Sequence, residues 1–231
     1  MPRSKPATSP PLPTAPIASG LRSTPERIAE SISKSLLKRE YSVGQRLIEA
    51  DLTERLGVSR STVREALKIL ASQGIVDIIP HRGAVVRGLT RLDAECLLEV
   101  LEVLTGLAAR LAAQNISQND NKSRFVMASK HLVVPNEHNQ LERVLDERAW
   151  FYQVMFDIAD NEELNRAVPT WRAHVFRNQF FRFLTRADVN AMVKEYRNIS
   201  QAILAGDGAK AELYARRHFQ KTRERALPHL R

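Results

Sequence analysis

The sequence predicts a mainly α protein, with an N-terminal winged helix-turn-helix and a C-terminal all-α bundle of about six helices. Three observations predict it. The stretch GVSRSTVREALKIL (57–70) reads as a helix that opens just after a glycine, charged at its front and apolar behind. Two β-rich runs, IVDII (75–79) and AVVRGL (84–89), follow it around a short loop that contains a glycine. From Arg91 onward the apolar spacing is helical and no strand signal appears.

Residues 1–22 hold six prolines and little that could pack, so they read as a disordered tail. Arg3, Lys5 and Arg22 in it could touch DNA weakly, but a solvated leader is the simpler reading. Thr24 before Pro25 marks a helix start, and Ile28, Ile32, Leu36 and Leu37 give that helix an apolar face ending before Gly44. A short helix over 49–56 stops at Gly57, since glycine accepts the left-handed backbone that closes a helix. Val58 is apolar and wedges between helices. Ser59 caps the next helix, which runs to Gln73 and closes at Gly74. The hairpin completes a winged helix-turn-helix domain over 23–89.

The remainder, 91–229, is read as one helical domain. LLEVLEVLTGLAARLAA (97–113) is apolar on more than one side, as a helix at the centre of a bundle should be. Further helices are expected over 118–132, 138–158, 161–183, 186–205 and 207–227. Pro169 should kink or delay the fourth of these six.

The formal charge is +9, and it is unevenly placed. Residues 1–90 carry 14 Lys/Arg against 8 Asp/Glu, whereas 91–231 carry 21 against 18. The more basic half thus favours a polyanionic partner. The single cysteine, Cys96, excludes an intrachain disulfide and reads as a small buried hydrophobe in a helix. No apolar run reaches the ~18 residues of a membrane span, and no signal peptide is evident, so a cytoplasmic protein without membrane partners is expected. There is no nucleophile–base pair, glycine-rich phosphate loop or carboxylate dyad to suggest an enzyme.

On the helix 59–73, Val63, Ala66, Leu67 and Leu70 follow i, i+3, i+4, i+7 spacing and face the core. Arg60, Ser61, Arg64 and Lys68 lie on the open side. Arginine suits paired hydrogen bonds to guanine O6 and N7, and a recognition helix meets base edges with its N-terminal residues. Ser61 and Thr62 sit where a phosphate is favoured by free amides and the helix dipole. His81, Arg82 and Gly83 make a compact basic hairpin tip.

The segment RLIEADLTERLGVSRSTVREALKILASQGIVDIIPHRGAVV (46–86) resembles the winged-helix domain of GntR-family bacterial transcription regulators. EVLEVLTGLAARLAA and the helical remainder resemble the effector domain of its FadR-like branch, the FCD domain. The resemblance makes Arg60 and Arg64 base-reading residues, Ser61 and Thr62 backbone contacts, and Gly83 the tip of the wing. It also implies a homodimer on double-stranded DNA carrying a short inverted repeat.

FCD domains commonly hold a divalent metal with an aspartate and three histidines. Aligned through DIADN (157–161) and AGDGAKAELYARRHF (205–219), those positions fall on Arg148, Tyr152, Tyr196 and His218. Leu101 and Thr105 replace an arginine and a glutamate usual in the branch. One imidazole cannot hold a transition metal alone, so no metal cofactor is expected. Asp146, His138 and His174 would be the alternative ligands by another geometry. Arg148, Tyr152, Tyr196 and His218 are instead read as lining a cavity for a small organic effector, with a carboxylic acid suited to Arg148. The expected function is a repressor whose operator affinity responds to that effector. The alternatives are a constitutive dimeric DNA binder and a metal-dependent regulator with shifted ligands.

Overall fold

A computed structural model describes residues 23–37, 40–80, 83–130, 132, 141–181 and 183–230, with the side chains of 37, 141–146 and 171 excepted. The N-terminal tail, most of the loop before residue 141, and His81 and Arg82 lie outside the described residues. Among the described residues no helix is long and apolar enough to cross a membrane.

The chain opens with α1 (Thr24–Leu37). Its cap is Ser23, not Thr24: the Ser23 Oγ accepts from the Glu26 amide while the Glu26 carboxylate accepts from the Ser23 amide. The S-x-x-E spacing makes this reciprocal pair possible, which moves Pro25 one place further into the helix. After a two-residue strand, β1 (Arg46–Leu47), come α2 (Glu49–Leu56) and α3 (Arg60–Ser72). Gly57 at φ 64° and Gly74 at φ 69° stand at the two helix exits where left-handed backbone was expected. Ser59 caps α3, its hydroxyl accepting from the Thr62 amide.

The hairpin is β2 (Val76–Ile79) and β3 (Gly83–Val86), paired antiparallel from Val76↔Val86 to Ile79↔Gly83. β3 also pairs with β1, giving the sheet order β1-β3-β2. The third strand was not anticipated, because two residues carry no alternation to read. Ala29, Ile32 and Leu36 of α1, Leu52 of α2, the back of α3 and the inner face of the sheet form one core.

The helical part comprises α4 (Arg91–Asn115), α5 (Asn121–Lys130), α6 (Leu141–Ala159), α7 (Glu162–Ala167), α8 (Thr170–Phe181), α9 (Arg186–Leu204) and α10 (Gly208–Ala226). A 3₁₀ turn, Leu227–His229, closes it. The helix expected over 161–183 is two, α7 and α8, broken at Val168–Pro169. Proline has no N–H to continue the ladder, and Val168 before it takes extended backbone (φ −69°, ψ 121°). Thr90 with Asp93, and Thr185 with Asp188, form capping boxes that fix the starts of α4 and α9.

α4 is the central helix, packed by α10, α6 and α9. Gly106 permits the close α4–α10 crossing, since an added Cβ would stand 2.7 Å from Arg216 Cγ. The remaining face of α4 is apolar and open, with Leu92, Val100 and Val103 exposed. Cys96 lies on that open face. The expectation of a buried thiol fails because the helix is apolar on two sides and the described residues cover only one of them.

Candidate nucleic-acid interface and buried cavity

Val63, Ala66 and Leu70 of α3 are fully buried and Leu67 nearly so, which fixes how the helix turns its other side outward. Arg60, Ser61, Arg64 and Lys68 are exposed on that side, and Thr62 is half-buried at the cap. Ser59 Oγ lies 2.8 Å from both Ser61 Oγ and Thr62 Oγ1, so three hydroxyls cluster at the helix start. Arg60 has no ion-pair partner among the described residues. Arg64 is tethered: its Nε donates to Glu49 Oε2 of α2 at 2.8 Å. That bond leaves the Nη pair, the end that makes forked contacts, unused. Lys68 pairs with Glu65 at 2.8 Å. Glu49 was not singled out from sequence, since only the α2–α3 packing brings it to a residue 15 positions away.

Gly83 is buried at the start of β3, not exposed at a tip. It has φ 92°, and an added Cβ would stand 2.2 Å from the Leu47 carbonyl oxygen of β1. Packing of the third strand therefore accounts for this glycine. His81 and Arg82 lie outside the described residues.

Arg148, Tyr152, Tyr196 and His218 come together in the helical part, lining one cavity of about 490 Å³ between α4, α6, α8, α9 and α10. Leu101 and Thr105 line it too. The Tyr152 and Tyr196 hydroxyls are 3.2 Å apart, and the rings of Tyr196 and His218 are 4.7 Å apart. The Arg148 guanidinium lies 5.5 Å from the Tyr196 ring centre and 5.0 Å from that of Phe181. His218 Nδ1 is 2.8 Å from Glu195 Oε2, and Arg225 donates to the other carboxylate oxygen at 2.6 Å. Burial alone would raise the Glu195 pKa, but the hydrogen bonds from His218 and Arg225 outweigh it and hold it at about 2. Burial pushes His218 below the usual imidazole range despite Glu195. A carboxylate only accepts, so Nδ1 carries the proton of the neutral ring and Nε2 is left as an acceptor. Burial likewise raises Tyr152, which keeps its phenol protonated.

α8 has a second face. Its Phe176, Arg177 and Phe180 line the cavity. On the other side Gln179 accepts from the Leu89 amide at 2.8 Å and donates to the Leu89 carbonyl at 3.4 Å. Arg172 of the same helix pairs with Asp93 at 2.8 Å. α8 thus connects the cavity wall to the segment joining the two parts of the chain.

The chain matches the family model for bacterial regulatory proteins of the gntR family over residues 24–86, and the FCD domain over 96–221. It is a member of the GntR family. Among GntR relatives it is 31% identical to the HTH-type transcriptional regulator Rv0494 of Mycobacterium tuberculosis over 205 residues, covering 80% of this chain and 82% of that one. It is 23% identical to the HTH-type transcriptional repressor RspR of Escherichia coli, covering 86% and 87%. In fold it is similar to a putative GntR transcriptional regulator from Rhodococcus sp. RHA1 (TM-score 0.69, 21% identity, 90% and 99% covered). It is also similar to E. coli McbR/YncC (TM-score 0.68, 18% identity, 87% and 96% covered). Like these GntR relatives the chain is a DNA-binding transcription regulator with an FCD domain.

The side chains that the resemblance puts at the FCD metal positions do not fit a divalent cation. Arg148 has no lone pair and carries a positive charge, Tyr152 is held protonated, and His218 is a lone imidazole. Among the described residues no three His, Cys, Asp or Glu side chains group as a metal site would need. His174 lines the cavity with its Nε2 2.8 Å from Asn178 Nδ2. His138 and the Asp146 side chain lie outside the described residues.

Proposed function

We propose that the protein is a dimeric, effector-responsive repressor acting in the cytoplasm on a short inverted repeat. Each subunit lays the N-terminal half of α3 in a major groove, where Arg60 and Arg64 read guanines. Ser61, Thr62 and Lys68 hold the backbone, and His81 and Arg82 contribute further DNA contacts. The observation that carries this is α3 itself: a buried back, three clustered hydroxyls at the cap, and an outward row of cations with the Arg64 fork free.

The dimer forms through the helical part. Leu92, Cys96, Val100 and Val103 repeat about once per turn along the open face of α4, and covering such a stripe is the usual fate of exposed apolar surface. Two-fold symmetry then calls for a two-fold operator.

The cavity is the effector site, and it needs no metal. α8 carries the response, because movement of its cavity face also moves Gln179 and Arg172 against Leu89 and Asp93. A ligand favouring one placement of the heads shifts operator affinity by its differential binding, typically ~1–3 kcal/mol.

Selection of sites from random double-stranded DNA by the full-length protein tests the reading. A palindromic consensus with guanines in each half is the expected product. Recovery of unenriched sequence would overturn sequence-specific regulation.

A further inference from the structure

Arg148 is only 4% exposed, yet among the described residues no carboxylate pairs with it. The described side chains lining its cavity include no aspartate or glutamate. Glu195, beside the cavity through His218, is already committed to His218 and Arg225. A buried guanidinium with no counter-charge among the described residues is costly, and a bound anion removes that cost. Its neighbours prepare it for a flat one. The ring faces of Phe181 and Tyr196 hold it in place and leave its N–H edges available.

The rest of the lining defines the body of that anion. Tyr152, Phe156, Phe176, Phe180, Phe181 and Phe219 place aromatic carbon around a space of about 490 Å³, and apolar surface predominates. Polar side chains, among them Gln153, Asn165 and His174, make up the smaller part of that surface. One hydrogen bond between the Tyr152 and Tyr196 hydroxyls leaves one phenolic hydrogen over. Among the described residues Thr222 Oγ1 is buried with no hydrogen-bond partner. His218 contributes one accepting nitrogen. These groups can satisfy a carboxylate and a further hydroxyl, whereas a polyhydroxylated acid would set several hydroxyls against phenyl rings.

We infer that the cavity takes an aromatic carboxylic acid, its carboxylate on Arg148 and its ring among the aromatic walls, without a metal ion. The inference rests on the effector-responsive reading above and narrows it. Arg148 replaces the cation that FCD domains commonly recruit from solution with one built into α6.

The test uses untagged, EDTA-treated full-length protein, titrated by calorimetry and followed by thermal shift. The probes are benzoate, 4-hydroxybenzoate, cinnamate and 4-hydroxycinnamate, with benzamide and cinnamamide as neutral counterparts and lactate, gluconate and citrate as hydroxy acids. At least one aromatic acid should bind one per chain, about tenfold or more tightly than its amide, since hydrogen bonds to a charged group are the strong ones. Arg148→Gln should abolish the preference for acid over amide, and Arg148→Lys should keep part of it. The acid–amide comparison on the wild-type chain stands even if a variant fails to fold. Tighter binding of gluconate or citrate, equal binding of acid and amide, binding only after adding Zn²⁺, Ni²⁺ or Mn²⁺, or no binding by any probe would each overturn the inference. An aromatic acid that binds as described but leaves operator affinity unchanged supports the inference and defeats the effector-responsive reading. A hydroxy acid that binds and releases the operator does the reverse.

Discussion

Glu49→Ala should cost specificity more than affinity. The Glu49 carboxylate grips Arg64 Nε at 2.8 Å, with 61% of the arginine side chain and 23% of the glutamate side chain exposed. An exposed pair of this kind adds only ~0–1 kcal/mol to folding stability, so the variant should fold normally. On DNA the effect is larger. A free arginine side chain carries about 2 kcal/mol of rotamer entropy, part of which the tether has already removed. Losing it should weaken operator binding by roughly 0.5–1.5 kcal/mol, about two- to tenfold. Binding to unrelated DNA should hold steady or tighten, because an anion near the phosphates has gone. Arg64→Ala should cost about 1–3 kcal/mol at the operator, and adding Glu49→Ala to it should change the ratio of operator to non-operator affinity no further. Fluorescence anisotropy with operator and scrambled duplexes at one fixed salt concentration measures all four chains. An unchanged ratio in Glu49→Ala, or the same change with and without Arg64, would refute the positioning role.

Gly83→Ala should lose about 2 kcal/mol or more of stability in denaturant unfolding, because φ 92° and a Cβ 2.2 Å from the Leu47 carbonyl oxygen cannot both be relieved locally; a loss near zero would contradict the packing of β1 on β3. Val100→Asp with Val103→Asp should yield a folded monomer in sedimentation, with helicity retained, whereas a persistent dimer would place the interface elsewhere. Glu195 is held at about 2 against a usual value near 4.5. Its folded pKa is depressed, so its contribution is present above pH 4.5 and is lost as pH falls toward 2. At 1.36 kcal/mol per unit the contribution is about 3 kcal/mol. The stability gap between wild type and Glu195→Gln should therefore shrink between pH 5 and 2, and a gap independent of pH would contradict it.

Much of the fold was legible because short-range chemistry fixes it. Gly57, Ser59 and Gly74 bound the helix-turn-helix by backbone conformation and capping alone, whereas Pro169 suggested only a kink or delay in one helix where the chain forms two. What escaped depends on distant contacts. β1 exists only because β3 has a free edge for it. Cys96 is exposed because one side of α4 is left uncovered by the described residues. In the site, Arg60 and Arg64 stood out from the face of one helix, but Glu49 did not, since helix packing brings it there. The resemblance placed Arg148, Tyr152, Tyr196 and His218, and the fold brings all four to one cavity. Phe176, Phe180, Thr222 and the Glu195 network had no sequence signal, because aromatic and hydroxyl residues at helical spacing look the same in any core.

The most direct measurement is dimethyl sulfate probing of guanine N7 on a selected operator. The reagent attacks in the major groove, at the atom an arginine fork covers. Guanines at matching positions of both half-sites should be protected by the wild-type protein and should regain reactivity with Arg60→Ala or Arg64→Ala. Guanines that stay fully reactive in the bound operator would contradict the placement of α3 against the bases.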